Sequence, residues 1–138
     1  MIKNVPRIMI AAPKSGSGKT SVSCALIYAL KKRGHNISAF KCGPDYIDPM
    51  FHRNVLGVES TNLDSYFCDE NALKYVLAEN GMEISIIEGV MGYYDGLGGV
   101  STEASAFDIA QKTDTDVILV IDGKGASISM AAEIKGFA

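Results

Sequence analysis

"APKSGSGKTS", residues 12–21, decides how the rest of the chain is read. It follows the apolar run "RIMIAA" (7–12) and opens a segment of helical periodicity at 19–33. A strand feeding a glycine-rich turn into a helix is the context in which a phosphate-binding loop works. The glycines let backbone N–H groups face phosphate oxygens, Lys19 reaches the β- and γ-phosphates, and Thr20 offers a hydroxyl to Mg2+. Ser15, Gly16, Ser17, Gly18, Lys19, Thr20 and Ser21 are therefore the candidate ATP-binding residues. The strict G-x-x-x-x-G-K-[ST] pattern fails at its first position, Pro13, where a fixed φ shapes the turn and no N–H is offered to phosphate. Lys14 has two open readings, a second lysine that reaches the nucleotide of a neighbouring subunit in a homodimer, or a solvated ammonium.

Outward from the loop, apolar runs alternate with helical patterns. "RIMIAA" (7–12), "ISAF" (37–40), "ISIIEG" (84–89) and "DVILVID" (116–122) read as short strands buried on both faces, as in a parallel sheet. Residues 19–33 and 70–80 read as helices, the first with Val22, Ala25, Leu26, Ala29 and Leu30 on one face, the second with Leu73, Val76 and Leu77. Gly34 and Gly81 are placed to end them as C-cap glycines. A third helix is expected over about 103–112, introduced by Ser101 and Thr102, and a fourth from near 126. The fold class implied is α/β, a P-loop NTPase-like, mostly parallel sheet flanked by helices. Two connections, 41–69 and 89–102, are longer than an α/β turn and rich in Gly, Pro, Asp and Tyr, which marks them as site-lining loops.

Composition narrows the function. The chain of 138 residues is 47% hydrophobic and 21% charged, enough for one domain with a core. Its net charge of -3 argues against a nucleic-acid surface or an anionic-membrane partner. The opening "MIKNVPRIMIAAPKSG" has an apolar run too short to span a membrane and no cleavage site. Cys24, Cys42 and Cys68 form no C-x-x-C pair, so neither a disulfide framework nor a zinc knuckle is favoured. A cytoplasmic location is the expectation.

Two acidic segments carry the chemistry. In "FKCGPDYIDPMFH" (40–52), Asp45 and Asp48 lie three apart and repel unless a cation sits between them, which makes Mg2+ a candidate occupant beside the reading of a solvated Asp-Pro turn. In "IIEGVMGYYDG" (86–96), Glu88 ends a strand at the carboxyl edge of the sheet, where an acid of the Walker-B kind meets the metal.

Taken in order, "SGSGKTS", "FKCGPDYIDPMFH", "TNLDSYF" (61–67), "EGVMGYYDG" and "LVIDGKGASISMAA" (119–132) resemble the N-terminal, ATP-dependent synthetase domain of the cobyrinic acid a,c-diamide synthase family, over about residues 7–137. The resemblance implies a dethiobiotin synthetase-like fold and a ligase of cobalamin biosynthesis. ATP would phosphorylate the a- and c-side-chain carboxylates of a tetrapyrrole, cobyrinic acid, and ammonia from glutamine would displace phosphate to leave carboxamides. It implies ATP and Mg2+ as cofactors. By position, Ser15 to Thr20 and Lys19 hold the triphosphate, and Thr20 and Glu88 hold the metal with Asp45 as a further ligand. Lys41 matches a strand-end lysine used near the γ-phosphate and acceptor carboxylate, Asp48 and Tyr46 act in metal or acceptor positioning, and Tyr94 and Asp95 line the tetrapyrrole pocket. Lys41, Asp45, Asp48 and Glu88 form the catalytic set. Asp122 is read as capping the turn after the fourth strand.

Such synthases continue into a glutaminase domain with a nucleophilic cysteine and its histidine. None of the three cysteines here sits in a G-x-C-x-G elbow, and His35 and His52 have no partner cysteine at that spacing. Residues 1–138 are thus expected to be the N-terminal part of the synthetase domain, incomplete and inactive alone. Two other readings are kept: the same diamidation of nickel sirohydrochlorin, whose enzyme shares these motifs and is hardly separated from this one by sequence of this length, and a switch ATPase of the partitioning type, for which Lys14 is the positive evidence and which leaves Asp45, Asp48 and the 89–99 loop together unexplained.

Overall fold

A computed structural model describes residues 4–138. Met1, Ile2 and Lys3, which open the segment read above for targeting signals, lie outside the described residues. The elements run β1 (Arg7–Ala11), α1 (Lys19–Lys32), β2 (Ile37–Cys42), α2 (Ile47–Phe51), β3 (Ser60–Leu63), α3 (Glu70–Asn80), β4 (Ile84–Glu88), α4 (Ala106–Lys112), β5 (Asp116–Leu119) and α5 (Met130–Phe137). The strands form one sheet in the order β3-β2-β4-β1-β5. Every pairing in it is parallel.

Strand alternation sorts the apolar residues onto two faces. Met9, Ala11, Phe40, Cys42 and Ile87 pack with Leu73 and Leu77 of α3 and Ile109 of α4. Ile10, Ala39 and Ile86 pack on the other face with Ile27 of α1 and Val58. Consecutive crossovers thus leave β1 and β4 toward opposite faces, and the crevice outside their carboxyl ends is where such sheets bind ligands.

The observed elements revise the sequence reading in several places. Helix α1 buries Lys19, Ser23 and Ile27, at i, i+4 and i+8, with Leu26 and Leu30 partly covered. Val22, Ala25 and Ala29, assigned above to the core face, are exposed. Small alanines carry little weight in deciding which face packs, and the loop directs Lys19 inward. Gly34, at φ 89°, is the left-handed C-cap expected of it. Gly81 instead is extended, and its role is close packing, since a Cβ there would run into Val5 and lie 2.6 Å from the carbonyl of Leu77. Helix α4 starts at Ala106, capped by Ser105, whose Oγ accepts from the Asp108 N–H at 3.1 Å. Thr102 serves that cap from behind, its carbonyl accepting from the Ser105 hydroxyl at 2.6 Å. The strand expected over 116–122 is paired only to Leu119, and Asp122 turns the chain with Oδ1 on the Lys124 N–H at 3.0 Å.

The long connection 41–69 contains two elements that its composition concealed. Helix α2 tolerates Pro49 because it falls in the first turn, where no intrahelical donor is needed, and Asp45 Oδ1 accepts the Ile47 N–H at 2.9 Å. The helix runs into a π turn, His52–Leu56, that Gly57 ends at φ 60°. Strand β3, four residues with polar Thr61 and Asn62, closes one edge of the sheet on β2.

Candidate nucleotide and carboxylate site

The row of side chains that begins as Ile84 and Ile86 ends as Glu88, and its partner row on β2 ends as Lys41, since the register pairs Lys41 with Glu88 and Ile10 with Glu88. The apolar face packed under α1 therefore changes to charge at the carboxyl edge of the sheet. β1 delivers the phosphate loop to the same edge.

The loop has the backbone that anion binding requires. Gly16 and Gly18 sit at φ 78° and 99°, a region L-residues avoid, and Gly18 is the N-cap of α1. The Lys19 ammonium, 8% exposed, turns back to donate to the carbonyl of Met91 at 2.7 Å and of Lys14 at 3.4 Å. Burial and the neighbouring Lys41 charge hold its pKa below the ordinary lysine value. Met91 itself adopts φ 47°, a strained backbone for a non-glycine residue, and that conformation aims its carbonyl at Lys19. Gly92 lets the two loops approach, because a Cβ there would stand 2.5 Å from the Pro13 carbonyl.

Four ionisable side chains converge behind the loop. The Thr20 hydroxyl donates to Glu88 Oε1 at 2.6 Å, and Lys41 Nζ donates to the same oxygen at 3.0 Å. Lys41 also meets Asp48 Oδ2 at 2.7 Å and Asp45 Oδ2 at 3.7 Å. The cation between the two aspartates, for which the sequence suggested a metal, is thus a lysine. Burial alone would depress the Lys41 pKa, but the hydrogen bond to Asp48 and the Glu88 charge raise it above the ordinary value. Burial likewise opposes ionisation of Asp48, yet Lys41 holds its carboxyl below the usual range. Both shifts favour the ionised Lys41–Asp48 pair at neutral pH. Asn62 fixes its outer wall, donating to the carbonyls of Gly43 and Asp45, each at 2.7 Å.

The arrangement forms a cleft of about 470 Å³ lined by Ser15, Gly16 and Gly18 to Ser21 of the loop together with Lys41, Asp45, Glu88 and Met91. Among the described residues no three His, Cys, Asp or Glu side chains form a self-contained metal cage. That is compatible with Mg2+ delivered on a nucleotide, which keeps water and phosphate ligands and takes one or two from protein. The donor set fits that use, since the Thr20 hydroxyl and the carboxylate of Glu88 share the cleft floor.

The residues expected at the acceptor are spread more widely. Tyr46 is the N-cap of α2 and 75% exposed on the outer side of the acidic loop. Tyr94 packs into an aromatic cluster, stacked on Phe137 at 5.2 Å and against Phe107 at 5.0 Å. Asp95 Oδ2 accepts the Gly92 N–H at 3.0 Å, and its charge acts on Lys19 from across the loop. A second recess, about 340 Å³, opens next to the cleft and shares Val90 and Met91 with it. Tyr66, Phe67 and Leu97, none of them singled out from sequence, line that recess, and Phe67 is 78% exposed.

His52 is the other residue the sequence reading passed over. Its ring is buried, with Nδ1 3.0 Å from Ser60 Oγ and Nε2 3.8 Å from Glu88 Oε2. Burial lowers its pKa. Its spacing was a usable signal: four residues after Asp48, it falls on the same helix face. The cysteines take no part. Cys42 is fully buried, which pushes its thiol up to about 12, and burial raises Cys24 as well.

Residues 8–132 match the family model described as CobQ/CobB/MinD/ParA nucleotide binding domain. The chain is 49% identical over 134 residues to the cobyrinate a,c-diamide synthase of Listeria monocytogenes, covering 95% of this chain and 30% of that protein. The Thermoplasma acidophilum protein of the same name is 44% identical over 134 residues, with 96% and 30% coverage. The hydrogenobyrinate a,c-diamide synthase of Streptomyces coelicolor is 44% identical over 135 residues, with 96% and 28% coverage. The chain thus spans about 30% of the length of the curated relatives it matches.

Proposed function

Because this chain belongs to the family of CobQ/CobB/MinD/ParA nucleotide-binding domains, we propose that it is the ATP-binding part of a ligase that activates peripheral carboxylates of a corrin-type tetrapyrrole for amidation in cobalamin biosynthesis. The observation that carries this reading is the meeting of Lys19, Lys41, Thr20 and Glu88 in one cleft at the end of β1 and β4. A nucleotide-hydrolysing switch needs the loop and an acid. A second buried lysine beside them supplies what an anionic acceptor needs, charge neutralisation next to the γ-phosphate.

In this reading the backbone of Ser15 to Ser21 and Lys19 hold the triphosphate, releasing Lys19 from the carbonyl of Met91. Thr20 and Glu88 would hold Mg2+, with Asp45 as an additional carboxylate at the cleft mouth. When bound, the metal would supply Lewis-acid neutralisation of the triphosphate charge. Lys41, kept protonated by Asp48 and Glu88, attracts the acceptor carboxylate and orients one oxygen in line with the γ-phosphorus. That oxygen forms the new P–O bond while the bond to ADP breaks. Ammonia then attacks the acyl carbon, the C–O bond breaks, and phosphate departs with the acceptor's oxygen. A carboxylate is a poor electrophile and an acyl phosphate a good one, which is why ATP is consumed. Tyr46, Tyr94 and Asp95 are proposed to contribute to the acceptor side, Tyr94 through the packing of its loop. The apolar recess of Tyr66, Phe67 and Leu97 gives the macrocycle's flat face a surface within reach of the cleft. Ammonia comes from a glutaminase unit acting with this one.

The test is incubation of the intact protein with Mg-ATP, glutamine and cobyrinic acid, with products read by mass spectrometry. A diamide product supports the proposal. Amidation of nickel sirohydrochlorin alone would keep the chemistry and change the macrocycle, and ATP turnover indifferent to either macrocycle would favour a switch ATPase.

A further inference from the structure

Glu88 and His52 face each other in the interior, each about 1% exposed, with Glu88 Oε2 and His52 Nε2 both lacking a hydrogen-bond partner and 3.8 Å apart. Buried polar atoms are seldom left unpaired, so two that point at one another identify a contact that the site uses. About 0.8 Å of movement brings them within ordinary N–H···O range, near 3.0 Å.

We infer that His52 is a positioning residue for Glu88: the ring, locked by Ser60, presents Nε2–H to Glu88 Oε2 and so holds Oε1 on the metal side, against the Thr20 hydroxyl. Three observations support it independently of the family. Ser60 Oγ lies 3.0 Å from His52 Nδ1, and a hydroxyl donating there leaves the proton on Nε2, the nitrogen that faces Glu88. The other oxygen of Glu88 accepts from Thr20 and Lys41 on the cleft side, so among the described residues the oxygen without a donor is the one that His52 faces. The chain also makes a π turn that begins at His52, and Asp48, one turn earlier, meets Lys41 of the same network. Such turns are rare and concentrate at functional sites. One short helix thus braces both charged partners of the cleft floor, Lys41 through Asp48 and Glu88 through His52.

The inference rests on the reading of Glu88 as a metal-site acid, and the experiment separates the two. In the intact protein with 15N-labelled histidine, the His52 signal, assigned by its loss in the His52 variants, is expected to show a protonated Nε2 and an unprotonated Nδ1. Affinity for a non-hydrolysable ATP analogue is then measured with Mg2+ and with EDTA. His52→Leu should lose about 10-fold or more of the Mg2+-dependent gain, the range seen when an outer-shell partner is removed, with the EDTA value unchanged. His52→Gln, which can still present an amide N–H, should recover most of it, and Ser60→Ala, which keeps the ring, should lose part. The opposite tautomer, a Leu variant with the full gain, or a Gln variant as impaired as Leu overturns the role of His52. A wild type with no Mg2+-dependent gain overturns instead the metal-site reading of Glu88.

Discussion

Thr20 and Glu88 are joined by a 2.6 Å hydrogen bond that ties the first turn of α1 to the end of β4. The hydroxyl and the carboxylate belong to segments 68 residues apart, and their meeting fixes where a metal-nucleotide would sit relative to the sheet. Glu88→Gln preserves shape and the Thr20 contact but removes the charge. It is expected to reduce Mg2+-dependent ATP turnover on the order of 100-fold while leaving the far-UV CD spectrum unchanged. Turnover within threefold of wild type would deny Glu88 its place at the metal.

Lys41 is the keystone of the carboxylate network, 5% exposed and paired with Asp48 and Glu88. Lys41→Met leaves a buried carboxylate uncompensated and should destabilise the fold by about 3–5 kcal/mol in urea unfolding. The same change should abolish acceptor activation at any ATP concentration.

The pH dependence follows from the direction of the Asp48 shift. Lys41 holds its folded-state pKa below the unfolded value, so its contribution to stability is present above the ordinary carboxylate pKa of about 4 and is lost as pH falls through the folded value. Comparing the wild type with Asp48→Asn by urea unfolding, the stability difference should be constant between pH 6 and 8 and shrink below about pH 4. A difference that grows on acidification would reverse the assignment.

Phe67, exposed at the apolar recess, tests where the macrocycle lies. Phe67→Ala should raise KM for the tetrapyrrole about 10-fold, the loss of one aromatic contact, with KM for ATP unchanged. Equal effects on both would place Phe67 elsewhere in the mechanism.

Much of the fold was legible because four of the strands are short, largely apolar runs and the phosphate loop is marked by its glycines. The phosphate loop, α3 and four of the strands follow from pattern alone. β3 was not legible, since a four-residue edge strand with Thr61 and Asn62 on it has no hydrophobic signature. Helix α2 was hidden by Pro49, a residue usually read as a breaker although harmless in a first turn. For the site, residue type and strand position brought out Lys19 and Glu88, and the family resemblance brought out Lys41; the three line one cleft. The sequence suggested a metal between Asp45 and Asp48, and the structure puts the Lys41 ammonium there, because pairing of charges across strands is a tertiary fact. Phe67 escaped for the same reason, since nothing local distinguishes a residue that lines a recess from one that merely packs; His52 was weighed only as a cysteine's partner, although its spacing from Asp48 put it on the same helix face.

Transfer of the γ-phosphoryl group to a carboxylate in the cleft is open to a direct test: the intact protein is supplied with Mg-ATP, ammonia and a tetrapyrrole acid labelled with 18O in its carboxylates, and the released phosphate is analysed. One 18O atom in each phosphate, lost together with amide formation in Lys41→Met, is the predicted result. Amide formed with unlabelled phosphate would show that no acyl phosphate is made and would contradict the account.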